Sequence, residues 1–243
     1  MLLKKIYKIA LPFLLFGQTA FTLMGLECIK ETAGNYHLQK IEPEEVKKEQ
    51  KFFKIISRTE YIERWGLLDN TKKENLNDHL LNTSRIAHTL AIIKNKIFGG
   101  SVNADKAAVI AMHHDTLEVF TDDMPTPIKY SSIEMKMLYS KMEDNFADEL
   151  LKTLPEELRE EYKSIFKQSE SEKEIQMLVK AADTLDAIIK CAKEKNRGNK
   201  DFETAEKEIC TRLMGFEDPA VKYFIKHFLP AFGFEIVEIK PTA

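Results

Sequence analysis

Apolar residues recur every three to four positions over most of this chain, and short polar stretches carrying Gly, Pro or Asn interrupt the recurrence. That period is helical: positions i, i+3, i+4 and i+7 share one face. Residues 75–97, NLNDHLLNTSRIAHTLAIIKNKI, set Leu76, Leu80, Ile86, Leu90 and Ile93 at near-helical spacing and predict a long helix. Gly99-Gly100 stops it, because glycine readily takes the left-handed conformation that closes a helix. Asn103 is placed to cap the next helix, ADKAAVIAMHHDTLEVF over 104–120. Upstream, Pro43-Glu44-Glu45 opens a helical pattern that continues through VKKEQKFFKIISR, with proline and acids in the first turn. Residues 60–73, which hold Trp65 and Gly66, lose the period. Met124-Pro125-Thr126-Pro127 predicts a loop, since proline disfavours helix at its own position and the one before. Further helices are predicted near 131–152, 155–167, 172–195, 202–214 and 218–232, and FEIVEI in the tail reads as a short strand. With no internal repeat, heptad array or low-complexity tract, the pattern predicts an all-α globule.

Composition narrows the class. The chain has 243 residues, 44% hydrophobic and 31% charged, enough for a sizeable core without disulfides or structural metal. A formal net charge of −3 leaves no overall basic surface for polymeric nucleic acid. Cys28, Cys191 and Cys210 are odd in number and widely spaced, which excludes a disulfide framework and a zinc knuckle and reads as reduced thiols. The N-terminus departs from the rest. In residues 1–28, Lys4, Lys5 and Lys8 precede an apolar run of about 20 residues, roughly a bilayer span. Three readings stay open: a membrane anchor or uncleaved signal, a helix packed on the domain, or an upstream start with Met24 as the alternative. Residues 1–48 are expected to be an extension, signal-like and then linker, and residues 49–243 the folded domain.

The candidate chemistry gathers in AMHHDTLEVFTDDMPTPIKY, residues 111–130. His114 and Asp115 are both good ligands for a borderline divalent metal. Neighbours on a helix point about 100° apart, so both reach one ion only at a helix end or bend. Two ligands hold a metal poorly. His79, one turn into its helix, and Asp183, on an otherwise apolar helix face, are the candidates for the remainder. An acid on such a face is costly to bury unless paired or metal-bound. Glu118 lies four residues after His114 and three after Asp115, so helical spacing puts it on the same face, where a general base would orient water. Arg64 offers a planar fork for phosphate oxygens. Each residue also has a plain alternative: a surface or core histidine, a buried hydrogen-bond acceptor, or, for Trp65, core packing.

Three spaced segments settle the choice: RWGLLDNTKKENLNDHLL, HHDTLEVFTDDMPTPIKY and LVKAADTLDAIIKC. In the order H…HD…D they resemble the HD-domain metal-dependent phosphohydrolases, and within them the YfbR-type 5′-deoxynucleotidases, over about residues 50–235. The resemblance implies an HD-domain helical bundle around a central divalent metal. It implies His79, His114, Asp115 and Asp183 as ligands and Glu118 as the catalytic acid/base. Arg64 and Trp65 match a pair that orients the phosphate and contacts the sugar, and Asp123, Met124, Pro125 and Thr126 match the substrate-lining loop. Asp123 is expected either to assist the leaving 5′-oxygen or to hold the sugar 3′-hydroxyl. Together with Asp115 and Asp183 these residues would surround the substrate.

Three positions depart from the family pattern. His113 stands where an aromatic is common, Asp122 replaces a small residue, and Asp78 rather than Glu precedes His79. None removes a ligand. The implied reaction is removal of the 5′-phosphate from deoxyribonucleoside 5′-monophosphates, with Co2+ or Mn2+ first among the ions and Zn2+, Fe2+ or Mg2+ behind. The alternatives are hydrolysis of ppGpp or a deoxynucleoside triphosphate, or a non-catalytic nucleotide sensor. Val119 stands where the ppGpp hydrolases carry an acid, and the whole ligand set argues against a decayed site. A homodimer, a cytoplasmic catalytic domain and membrane contact through residues 1–28 complete the expectation. His37, His88, His113 and His227 are read as structural, and Asp186 as either supporting the site or solvated.

Overall fold

The computed structural model of the protein describes residue 42 and residues 45–235, except 130 and 168. The signal-like segment, its linker, Cys28, His37 and most of FEIVEI lie outside the described residues; Phe234 and Glu235 are not in a strand. Among the described residues all regular structure is helical: α1 (Phe52–Ile56), α2 (Leu76–Phe98), α3 (Ala104–His113), α4 (Thr126–Lys129), α5 (Ile133–Leu151), α6 (Arg159–Phe166), α7 (Lys173–Lys195), α8 (Glu203–Met214) and α9 (Pro219–Phe228). Short 3-10 turns join several of them, and one antiparallel bridge pairs Glu63 with Asn75. No described helix is long and apolar enough to cross a membrane.

Helices α2, α3 and α7 form the centre, with α8 and α9 packed on α7 and α2. Ala87, Ala91, Ala107, Ala111, Ala181 and Ala182 are buried where these helices meet. Small side chains at such a seam let helices approach closely. Leu90, Leu178, Leu185 and Ile188 fill the space between them. Truncating Leu90 to Ala would cost about 3 kcal/mol. A second cluster, Phe52 with Leu150, Leu151 and Leu154, ties α1 to α5 and α6.

Local chemistry fixes the ends that position the site. The Asn75 side chain accepts from Asp78 N–H at the start of α2, and Gly99 closes that helix at φ 71°. Asn95 brackets Val102 by donating to its carbonyl at 2.7 Å and accepting from its amide at 2.8 Å, which locks the short turn into α3. Asn103 then caps α3.

Two predicted helices are shorter or more broken than the pattern suggested. The 104–120 helix ends at His113; Asp115 takes φ −109°, ψ 12°, and Thr116–Val119 follow as a 3-10 turn. That backbone region is sparsely populated and often holds active-site residues. Within the 43–58 pattern, residues 48–58 form a succession of 3-10 and α turns, and Phe52 enters the second cluster with its ring 4.9 Å from Tyr162.

Candidate active site and metal centre

The three central helices deliver the four expected ligands to one place. His79 comes from the first turns of α2, His114 and Asp115 from the break after α3, and Asp183 from the middle of α7. Nε2 of His79 lies 3.3 Å from Asp183 Oδ1 and 3.7 Å from Asp115 Oδ2, and Nε2 of His114 lies 3.1 Å from the same Asp115 oxygen. One ligand atom each of His79, His114 and Asp115 falls within 4.8 Å of the others.

The opposite side of each imidazole is already engaged. Nδ1 of His79 meets Asp186 Oδ2 at 2.7 Å, and Nδ1 of His114 donates to the Ala111 carbonyl at 2.7 Å. A proton held at Nδ1 leaves the Nε2 lone pair free. Both Nε2 atoms are buried and make no hydrogen bond, although a buried polar atom is normally satisfied. Two orphaned imidazole nitrogens converging on two carboxylates fit a divalent cation. The charges agree. Burial opposes a charged His114, yet Asp115 beside it and Asp183 outweigh burial and lift the group to about 9. Burial would likewise raise Asp115, but His114, His79 and Arg64 hold it far below the usual carboxylate range. The pocket draws positive charge, and a metal ion would displace these protons.

Glu118 sits in the 3-10 turn rather than on a continued α-helix, a correction to the spacing argument that placed it on the face of His114. It is 8% exposed, with Oε2 buried and unpartnered. Burial, then the charges of Asp115 and Asp123, push its carboxyl up to about 9, while Arg64 and Lys129 pull the other way. Asp123 thus belongs to the same electrostatic neighbourhood as Arg64 and Glu118. Asp122 has a backbone role: it is exposed, takes φ 64°, and its side chain accepts from Asp123 N–H at 2.9 Å. Aspartate tolerates this left-handed turn better than most residues. Met124 and Pro125 are half-buried, and Thr126 opens α4.

Arg64 is largely but not fully covered on the Asp115 side of the centre, with Nη1 3.7 Å from Asp115 Oδ2. Trp65 beside it packs its ring 5.3 Å from that of Phe202. Two residues escaped the sequence reading. Glu74 pairs with both Arg64 and Trp65. Lys129 lies over the Tyr139 ring at 4.0 Å and pairs with Glu143, its charge reaching Asp115. Glu74 stands ten residues beyond Arg64 in an aperiodic loop and carries no local signal. Lys129 could have been noticed as the lone cation of the DMPTPIKY run. Of the histidines read as structural, the three described ones make other contacts. His113 packs on Tyr162 and Phe166, His227 stacks on Tyr223, and His88 faces Asp105.

A helical bundle holding histidine, histidine-aspartate and aspartate around one point is the architecture of an HD-domain metal-dependent phosphohydrolase. The family model of the 5′-deoxynucleotidase YfbR-like proteins matches residues 51–232, and the chain belongs to that family. It is an enzyme, a 5′-deoxynucleotidase of the phosphoric monoester hydrolase class. A 5′-deoxynucleotidase of Vibrio vulnificus is 41% identical over 192 residues, covering 79% of this chain and 98% of that protein. One from Photorhabdus laumondii is 40% identical over 188 residues, covering 77% and 95%. Among solved structures, an HD-domain phosphohydrolase of Listeria innocua shares the fold with a TM-score of 0.64 and 24% identity, over 75% of this chain and 88% of that one. The cyanophage S-2L HD phosphohydrolase DatZ, bound to dA and one catalytic Zn2+ ion, has a TM-score of 0.51 and 20% identity, over 81% and 99%.

Proposed function

We propose that this site hydrolyses the 5′-phosphate ester of deoxyribonucleoside monophosphates, water and ester giving phosphate and the deoxynucleoside. One observation carries the reading: two buried, unpartnered Nε2 atoms, of His79 and His114, turned toward Asp115 and Asp183. These four residues would hold the ion, with Co2+ or Mn2+ the first candidates and Zn2+, the ion of the cyanophage neighbour, among those to compare. When bound, the ion neutralises phosphoryl charge and lowers the pKa of water.

The chain's own groups do the rest. Arg64 receives phosphate oxygens on its guanidinium fork. Glu118, whose carboxyl would ionise once a divalent cation offset the Asp115 and Asp123 charges that raise it, would take the proton of the attacking water at its unpartnered oxygen. Asp123 stands close enough in charge to act on the leaving side, with Trp65 and Met124–Thr126 bounding the sugar. Positioning and electrostatics account for most phosphoryl-transfer catalysis, and this set supplies both. The family resemblance suggests a homodimer, the cytosolic nature of deoxynucleoside monophosphates a cytoplasmic catalytic unit, and the apolar run of residues 1–28 membrane contact. Solution mass over a concentration range and cell fractionation test these.

The direct test is phosphate release from metal-stripped protein given back Co2+, Mn2+, Zn2+ or Mg2+. The panel is deoxyribonucleoside monophosphates, their ribonucleoside counterparts, a deoxynucleoside triphosphate and ppGpp. Metal-dependent release from the deoxymonophosphates, with the ribose forms much slower, is the expected result. Silence on every monophosphate with every ion refutes the reading.

A further inference from the structure

We propose that Glu74 is a positioning residue of this enzyme, whose one carboxylate fixes both Arg64 and Trp65 and ties them to the scaffold behind the metal centre. The inference rests on the proposed substrate roles of Arg64 and Trp65.

The backbone brings Glu74 into place first. Arg64 N–H donates to the Glu74 carbonyl at 2.9 Å and Leu76 N–H to the Ile62 carbonyl at 2.9 Å, so residues 62–64 run antiparallel to residues 74–76 at the entrance of α2. The loop between them is therefore closed at its base, with Glu74 opposite Arg64.

The side chain then does two things with one atom. Its Oε1 accepts from Trp65 Nε1 at 3.2 Å and forms an ion pair with Arg64 at 3.3 Å from Nε, without an aligned hydrogen bond. A guanidinium is flat and rigid, so charge attraction at its Nε edge biases the direction of the Nη groups. Here Nη1 ends 3.7 Å from Asp115, beside the ligand cluster. Released from Glu74, Arg64 would be free to collapse onto Asp115, and its fork would be lost to phosphate. Trp65 needs restraint for another reason. Its φ of 63° is left-handed, a conformation that costs an L-residue roughly 1–2 kcal/mol. The Glu74 contact, the Phe202 ring and two donors to the Trp65 carbonyl, Leu68 N–H and Asn70 Nδ2, hold it there.

Glu74 also reaches the metal scaffold. One oxygen of Glu74, one of Asp186 and a nitrogen of His79 lie within 4.8 Å of one another. The phosphate fork, the tryptophan and the first metal ligand thus share one carboxylate neighbour, which couples their placement.

The test uses the full chain reconstituted with Mn2+ as wild type, Glu74→Gln, Glu74→Ala, Arg64→Ala and the double Glu74→Ala/Arg64→Ala. Three quantities are read: kcat and KM on a deoxyribonucleoside monophosphate, bound metal per chain, and acrylamide quenching of Trp65, the only tryptophan. Both Glu74 variants are expected to lose about 10- to 100-fold in kcat/KM, the range seen when a supporting residue behind an active group is removed. Metal content should hold, the Ala variant should quench more readily, and its loss should largely vanish in the Arg64→Ala background. Equal loss in both backgrounds, a loss matched by lost metal, or unchanged kcat/KM overturns the proposal. Should wild type release no phosphate, the nucleotidase reading fails. Quenching then still decides this one, and an unchanged Trp65 in Glu74→Ala overturns it.

Discussion

Asp186 Oδ2 stands 2.7 Å from Nδ1 of His79, both groups almost wholly buried, and this contact leaves Nε2 as the His79 nitrogen that would face an ion. A carboxylate behind a histidine ligand fixes its tautomer and raises its basicity. Asp186→Ala is expected to weaken metal affinity about 10- to 100-fold, and Asp186→Asn, which keeps an acceptor, by less. A competition titration of Mn2+ against a calibrated chelator measures both. Equal affinity in Asp186→Ala and wild type contradicts the assignment.

Glu118 carries a separable role. Its buried Oε2 has no hydrogen-bond partner among the described residues. Glu118→Gln is therefore expected to keep the ion while kcat falls about 10²- to 10⁴-fold, the usual contribution of general acid-base catalysis. Metal analysis alongside steady-state kinetics checks this. Turnover surviving undiminished would place the base elsewhere.

Much of this was legible in the chain. The apolar period marked α2, α5, α7 and α8 to within one or two residues, because each buries a continuous helical stripe. Gly99 and Asn103 announced the turn into α3 through backbone preference alone. The break at Asp115 was not readable from period, since Leu117 and Phe120 keep helical spacing while the backbone leaves the helix. Asp186 was visible only as an acid one turn from Asp183. Its partner is 107 residues away, a separation no local pattern reports. Glu74 gave less still, because its partners meet it through a loop whose shape depends on Trp65 in a left-handed conformation.

The loop after Trp65 has a second anchor that bears on stability. Glu194, wholly buried on α7, accepts from the Thr71 and Lys72 amides, from Asn199 Nδ2 and from Lys190 Nζ at 2.7 Å. Burial opposes the charge, but these donors outweigh it and hold the carboxyl below its ordinary range. Glu194→Gln leaves Lys190 buried without its counter-charge and is expected to cost about 3 kcal/mol at neutral pH. A folded-state pKa below the unfolded one stabilises above the unfolded value and less as pH falls through the folded one. The gap between wild type and Glu194→Gln should therefore narrow in acid, from about pH 4.3 downward. Urea unfolding at several pH values reads it; a gap that widens in acid would contradict the pairing.

Metal should stabilise the fold as well as activate it. The proposed ligands come from α2, α7 and the end of α3, so an ion would cross-link the three central helices. A ligand at one hundred times its dissociation constant adds about 2.7 kcal/mol. Stripped protein is expected to melt at a lower temperature than reconstituted protein, with the difference abolished in His79→Ala. Identical melting with and without ion, at saturating concentration, would remove the site from α2.

The central claim is that His79, His114, Asp115 and Asp183 hold the ion on which hydrolysis depends. The measurement closest to it is a titration of Mn2+ into stripped protein, following bound metal and phosphate release from a deoxyribonucleoside monophosphate together. The account expects no release at zero metal, a rise that tracks occupancy to one ion per chain, and loss of both signals in His79→Ala and His114→Ala. Full turnover by stripped protein, or undiminished Mn2+ binding in both histidine variants, would contradict it.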